Sequence, residues 1–185
     1  MRCGCAARYD YWRSRTLGTI LTHEFMGRTK ATLSLVDRND RALIELDNQY
    51  RDTNRIRPIL CDIVRNVRNL AGEARNVTTI IHCASLKRLD TGQLFSRIVA
   101  SENITTFINM LEYAERNCVR TFVTCSTEKA ATPNSVMGTS KLLIEGISKN
   151  TPSARPANQI QRISLNLTNG SGAMGQLGFF DLRRR

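Results

Sequence analysis

Short apolar runs alternate along this chain with longer segments of helical period, and that alternation restricts the folds open to it. Strand-like runs lie at 32–36 (TLSLV), 56–60, 77–84 (VTTIIHCA), 119–125 (VRTFVTC) and, more weakly, 159–167. Helical segments lie at 19–27, 40–51, 63–75, 93–117 and 135–150, and Leu94, Ile98, Ile104, Ile108, Leu111 and Ala114 mark an apolar stripe on the fourth. Strands that alternate with helices of this length predict βαβ units, a parallel sheet and right-handed crossovers, which is an α/β class.

At 185 residues, 41% hydrophobic and 23% charged, the chain has enough apolar material for one domain with a core. This excludes a disordered, collagen-like or disulfide-stapled class. Lys and Arg number 27 against 16 Asp and Glu, a net charge of +11, so an anionic ligand is expected. The basic residues are scattered and no nucleic-acid-binding motif accompanies them, so a specific nucleic-acid partner is not expected. No run reaches the ~20 apolar residues of a membrane span. The N-terminal MRCGCAARYDYWRSR lacks an apolar secretory core, which makes a cytoplasmic location the expectation. Four of the six cysteines fall at or beside apolar runs and are read as reduced. Cys3, Cys5, His23 and His82 show no zinc spacing, so no metal is expected.

In an open parallel sheet, ligands sit beyond the carboxyl ends of the strands. One such end carries Asp37, which lies 19 residues after Gly18, close to the ~20-residue spacing of an acidic residue that meets a dinucleotide ribose. A solvated turn aspartate is the other reading, and Asp40 is placed as the N-cap of the next helix. If Gly18 takes the middle place of a G-x-x-G-x-x-G loop, Arg15 and Leu21 occupy the flanking places, so two glycines are missing. Residues 9–15 make a poor first strand. The division expected is a divergent basic segment at 1–17, a nucleotide-binding domain at 18–168 and a short tail at 169–185.

Residues 126–141 read S-T-E-K-A-A-T-P-N-S-V-M-G-T-S-K. A hydroxyl, a carboxylate and an amine leave one strand end together, and Met137 and Lys141 share a helix face four residues apart. A neighbouring carboxylate and amine suit general acid and base work. An exposed loop pair for Glu128 and Lys129, and a core gap-filler for Met137, are the plainer readings of the same residues.

This segment resembles the S-T-D-K-A-V-N-P-T-S-V-M-G-A-T-K motif of the polysaccharide-biosynthesis branch of the extended short-chain dehydrogenase/reductases, the nucleotide-sugar 4,6-dehydratases and epimerases. His82-Cys83-Ala84-Ser85-Leu86-Lys87 is similar to that family's H-A-A-A-L-K. Residues 34–46 match its L-L-D-R-S-E-x-A-L-Y-E-I, residues 61–63 its G-D-I, and Asn103 the asparagine of T-N-V-x-G-T.

The resemblance implies a Rossmann-like doubly wound sheet whose first strand and glycine loop are degraded and whose C-terminal substrate portion is largely missing. It implies NAD or NADP at Gly18, Thr19, Ile20, Asp37, Arg38, Asp62, Ile63, Ala84, Ser85, Lys87, Asn103 and Lys141, with Arg38 able to accept a 2′-phosphate. It implies a UDP-N-acetylhexosamine beside Lys87 and Asn166, and catalysis by Thr127, Glu128 and Lys129. Met137 stands at the place where most short-chain dehydrogenases have tyrosine. In the implied reaction, hydride leaves C4 for the cofactor, water leaves across C5 and C6, and hydride returns to C6. Lys129 would be the base at C5, and Glu128, an aspartate in the family motif, the acid at the C6 hydroxyl. The alternative is a catalytically inactive, truncated Rossmann relative that acts as a binding module. The nucleotide sugar is the expected partner, with a homo-oligomer left open.

Overall fold

Six parallel strands pair into one sheet in the computed structural model, which describes residues 2–6, 17–73, 76–86, 95–150 and 161–167. The strands are β1 (Arg2–Ala6), β2 (Thr32–Asp37), β3 (Ile56–Leu60), β4 (Thr79–His82), β5 (Thr121–Thr127) and β6 (Gln161–Leu167), in the order β3-β2-β1-β4-β5-β6. The order reverses direction between β1 and β4. That reversal is the switch point at which a doubly wound sheet opens a crevice for a ligand.

The first strand lies earlier in the chain than its sequence suggests. Residues 2–6 carry no large aliphatic side chain, yet β1 pairs on both sides, Cys5 opposite Leu35 of β2 and opposite Ile81 of β4. The segment 1–17 therefore contributes the central strand of the sheet.

Two apolar cores flank the sheet. On one face Leu33, Leu35, Ile81, Val123 and Cys125 pack against Leu21 and Met26 of α1 (Leu17–Arg28) and Leu43 and Leu46 of α2 (Asp40–Tyr50). On the other face Val36, Ile59, Ile80 and Phe122 meet Phe107, Met110, Leu111 and Ala114 of a long helix, together with Ile144 of the last one. The region 63–75, expected as one helix, is broken into α3 (Ile63–Asn66), a 3-10 turn and α4 (Leu70–Glu73). The long helix is α5 (Ser96–Arg116) and the last is α6 (Val136–Asn150).

Polar side chains fix where elements begin and end. Asn39, rather than Asp40, is the N-cap of α2, its side chain accepting from the Ala42 N–H, while Asp40 sits in the first turn. Asp62 caps α3 by accepting from the Val64 N–H, and Thr127 caps the 3-10 turn Glu128–Ala130 by accepting from the Lys129 N–H. The end of α5 is closed by the Val119 N–H donating to the Ala114 carbonyl, with Cys118 in the left-handed region at φ 56. Extended pairing therefore begins only at Thr121, two residues later than the apolar run. Arg55 donates to the Phe25, Met26, Thr29 and Ala31 carbonyls at the end of α1, which gives one of the scattered arginines a structural task.

Candidate active site

The carboxyl ends of β2 to β5 lie on one edge of the sheet, and the connections that leave them carry most of the residues singled out from sequence. At the β2 end Asp37 is buried, and its carboxylate accepts from the Asn39 N–H at 2.9 Å. The Cys61 N–H donates to the Asp37 carbonyl at 2.9 Å, which ties the β3 exit to it. The lining of a pocket here includes Val36, Asp37, Asp62, Ile63, Ala84 and Leu86, with Arg38, Glu102 and Asn103 beside them. Apolar walls from Val36, Ile63, Ala84 and Leu86, with the Asp37 carboxylate at the β2 end and Asp62 and Glu102 beside Arg38, are of the kind that could hold a flat heteroaromatic base and its ribose, as in the adenosine half of a dinucleotide.

Asn103 shapes this pocket from inside α5. It is 1% exposed, accepts from the Leu86 N–H at 2.7 Å and donates to the Leu86 carbonyl and to the Ser140 hydroxyl, both at 3.3 Å. One side chain thus joins the loop after β4 to α5 and α6. Asn109 similarly donates to the Ile63 carbonyl at 2.7 Å and holds α3 in place. Ser85 is half-buried in the pocket lining, while Lys87 lies outside the described residues.

Gly18 and Thr19 are buried residues of the first turn of α1, and half-buried Ile20 follows them. Gly18 thus stands at the very start of the helix, where the chain leaves the β1 side of the sheet. The Thr22 hydroxyl donates to its carbonyl at 2.8 Å. The connection between β1 and α1 lies outside the described residues.

At the β5 end the Thr127 hydroxyl donates to Glu128 Oε2 at 3.0 Å, and Glu128 Oε1 lies 3.6 Å from Lys129 Nζ. The carboxylate and the amine are paired and partly open to solvent, as an acid and base that meet a substrate must be. Gly138 makes this arrangement possible. A Cβ there would stand 2.5 Å from the Lys129 carbonyl oxygen, so only glycine lets α6 lie this close to the turn. Met137 is half-buried on the same helix, and Ser126 donates to Glu145 further along it.

Lys141 is buried at 4% exposure and donates from Nζ to the Cys125 carbonyl of β5 at 2.9 Å. Burial pushes its amine below the ordinary lysine value, and the nearby Cys125 and Cys83 thiols oppose that shift. Burial pushes the Cys125 thiol up to about 11, so it is held as a neutral thiol. Asn166 stands in β6 opposite Ser126 of β5.

Sequence reasoning missed Glu102, which reaches Arg38 across the pocket mouth, and Glu145. Glu102 had a faint signal in its position beside Asn103, whereas the Glu145 contact has none in the local sequence.

Strand order and crossovers together define an α/β protein of the doubly wound type. A family model described as polysaccharide biosynthesis protein matches residues 14–174, and the chain belongs to that family. It is 32% identical over 114 residues to an uncharacterized membrane protein of Methanocaldococcus jannaschii, covering 62% of this chain and 34% of that one. It is 33% identical over 85 residues to the UDP-glucose 4-epimerase of Rickettsia akari, covering 46% and 25%. The matched stretches thus span about a third or less of these relatives. In fold it is similar to the dTDP-glucose 4,6-dehydratase DesIV from Streptomyces venezuelae, solved with NAD and TYD bound, at TM-score 0.71 and 16% identity over 90% of this chain and 55% of that one. The UDP-Glc/GlcNAc 4-epimerase of Campylobacter jejuni gives TM-score 0.74 and 15% identity over 89% and 52%. Among the described residues no helix is long and apolar enough to cross a membrane.

Proposed function

We propose that this chain is an NAD(P)-dependent nucleotide-sugar dehydratase or epimerase of glycan biosynthesis, with a UDP-N-acetylhexosamine as its substrate. The observation that carries this reading is the chain of contacts Thr127, Glu128, Lys129 at the carboxyl end of β5, on the same sheet edge as the pocket that ends in Asp37. Residues 18–168, joined by β1, form the dinucleotide-binding unit under this reading.

Bound nicotinamide dinucleotide supplies reversible hydride acceptance, and the protein supplies position and proton exchange. Asp37 accepts from the ribose hydroxyls, while Ile63, Ala84 and Leu86 exclude water from the base. Lys129 withdraws the proton at C5 of the sugar. Glu128 delivers a proton to the C6 hydroxyl as it leaves, and its 3.6 Å pairing with Lys129 gives the two groups a route to return to their starting protonation. Met137 carries no exchangeable proton, so the acid and base work falls on the β5 turn. Lys141, fixed to the Cys125 carbonyl behind that turn, would hold the nicotinamide ribose by donating to its hydroxyls.

Incubation of the purified chain with NAD+ and UDP-N-acetylglucosamine, followed by mass spectrometry and chromatography, tests the reading. Loss of one water identifies a dehydratase, and a new sugar nucleotide of unchanged mass identifies an epimerase. Unchanged substrate in the presence of bound cofactor leaves the non-catalytic binding module instead.

A further inference from the structure

Arg38, which follows the ribose-facing Asp37, is positioned by its sequence place to meet a 2′-phosphate. The structure gives it other partners. Its Nη2 lies 3.4 Å from Glu102 Oε2 of α5, and its Nη1 lies 4.0 Å from Asp62 Oδ2 at the start of α3. Asp62 is approached in turn by Arg65 at 3.6 Å. Glu102 and Asp62 are largely covered, with side chains 25% and 20% exposed, so their charges are less screened than those of free surface carboxylates.

We propose that Glu102 sets the dinucleotide preference of this site, selecting NAD(H) over NADP(H). The proposal rests on the dinucleotide reading given above. A 2′-phosphate entering beside Asp37 would add about two negative charges to a pocket mouth that already holds Asp37, Asp62 and Glu102. To bind it, Arg38 must give up its pairing with Glu102, whose negative charge then faces the phosphate, while Asp62 keeps Arg65 at 3.6 Å. A ribose with free hydroxyls makes no such demand, since Asp37 can accept from it while Arg38 stays where it is. The decisive residue lies on α5, far in sequence from the Asp37-Arg38 pair, and for that reason the pair alone leaves both dinucleotides open.

The test measures NADH and NADPH affinities of the full chain by nucleotide fluorescence at low salt. Wild type should favour NADH by about tenfold or more, since removing one like charge at this range has an effect of that order. Glu102→Gln should narrow the ratio severalfold. Adding Arg38→Ala in that background should widen it again, because the arginine freed by the first change is what the 2′-phosphate would gain; a purely structural role for Glu102 would not produce this reversal. Equal affinities in wild type, an unchanged ratio in Glu102→Gln, or no reversal in the double variant overturns the proposal while the dinucleotide reading stands. Binding of neither nucleotide overturns both.

Discussion

Gly138 lies against the carbonyl oxygen of Lys129 so closely that a methyl group on its Cα would stand 2.5 Å from that oxygen. The obstacle is backbone, which cannot rotate away. Helix propensity favours Ala over Gly by up to about 1 kcal/mol, but forced overpacking costs about 1 to 3 kcal/mol. Gly138→Ala is therefore expected to lower stability in thermal unfolding. Gly146, on the same helix with nothing within 4 Å of its added Cβ, provides the contrast: Gly146→Ala should raise it.

Asn103 holds both polar backbone groups of Leu86. Asn103→Leu preserves bulk but leaves that N–H and carbonyl without their partner, at a cost of about 1 to 3 kcal/mol for each buried unpaired group. Chemical denaturation should show the loss, and hydrogen exchange should show faster exchange at the Leu86 amide.

His82 is fully buried between Phe107 and Phe122, and neither ring nitrogen has a hydrogen-bond partner. Burial, with the Lys141 charge adding to it, lowers its pKa to about 3. The unfolded chain takes up this proton near pH 6.5 and the folded chain only near pH 3. Stability from this group is full above pH 6.5 and falls as the pH falls between those values, by about 2 kcal/mol at pH 5. His82→Leu should remove that part of the acid sensitivity from a series of denaturation curves taken between pH 7 and pH 5.

Under the proposed dehydratase reading Lys129 is the base. Lys129→Met should cut water loss from the nucleotide sugar by about 100-fold or more, the usual scale of a general base. Turnover within a few-fold of wild type would move the proton abstraction to another group.

Much of the architecture was legible because parallel strands buried on both faces read as continuous apolar runs, as at 32–36 and 119–125. The exceptions have physical causes. β1 has small and polar residues, and its place comes from pairing with β2 and β4 on either side. The start of β5 slips by two residues because Cys118 and Val119 are used to close α5. In the site, the 126–141 segment announced itself through clustered chemistry. Its glycine was visible in the same string, but the reason for it, the Lys129 carbonyl, exists only once α6 folds back on the β5 turn. The net charge of +11 pointed to an anionic ligand, yet Arg55 serves helix carbonyls and Arg38 serves two carboxylates. Which arginines remain for a ligand is settled by tertiary contacts.

Whether a dinucleotide occupies the sheet edge is tested most directly by calorimetric titration of the purified chain with NAD+, repeated on Asp37→Ala. Saturable one-to-one binding is expected, weakened about tenfold or more in the variant through loss of the ribose hydrogen bonds. Absence of saturable heat with wild-type protein at millimolar NAD+, or equal binding by Asp37→Ala, would contradict the placement of the cofactor at the β2 end.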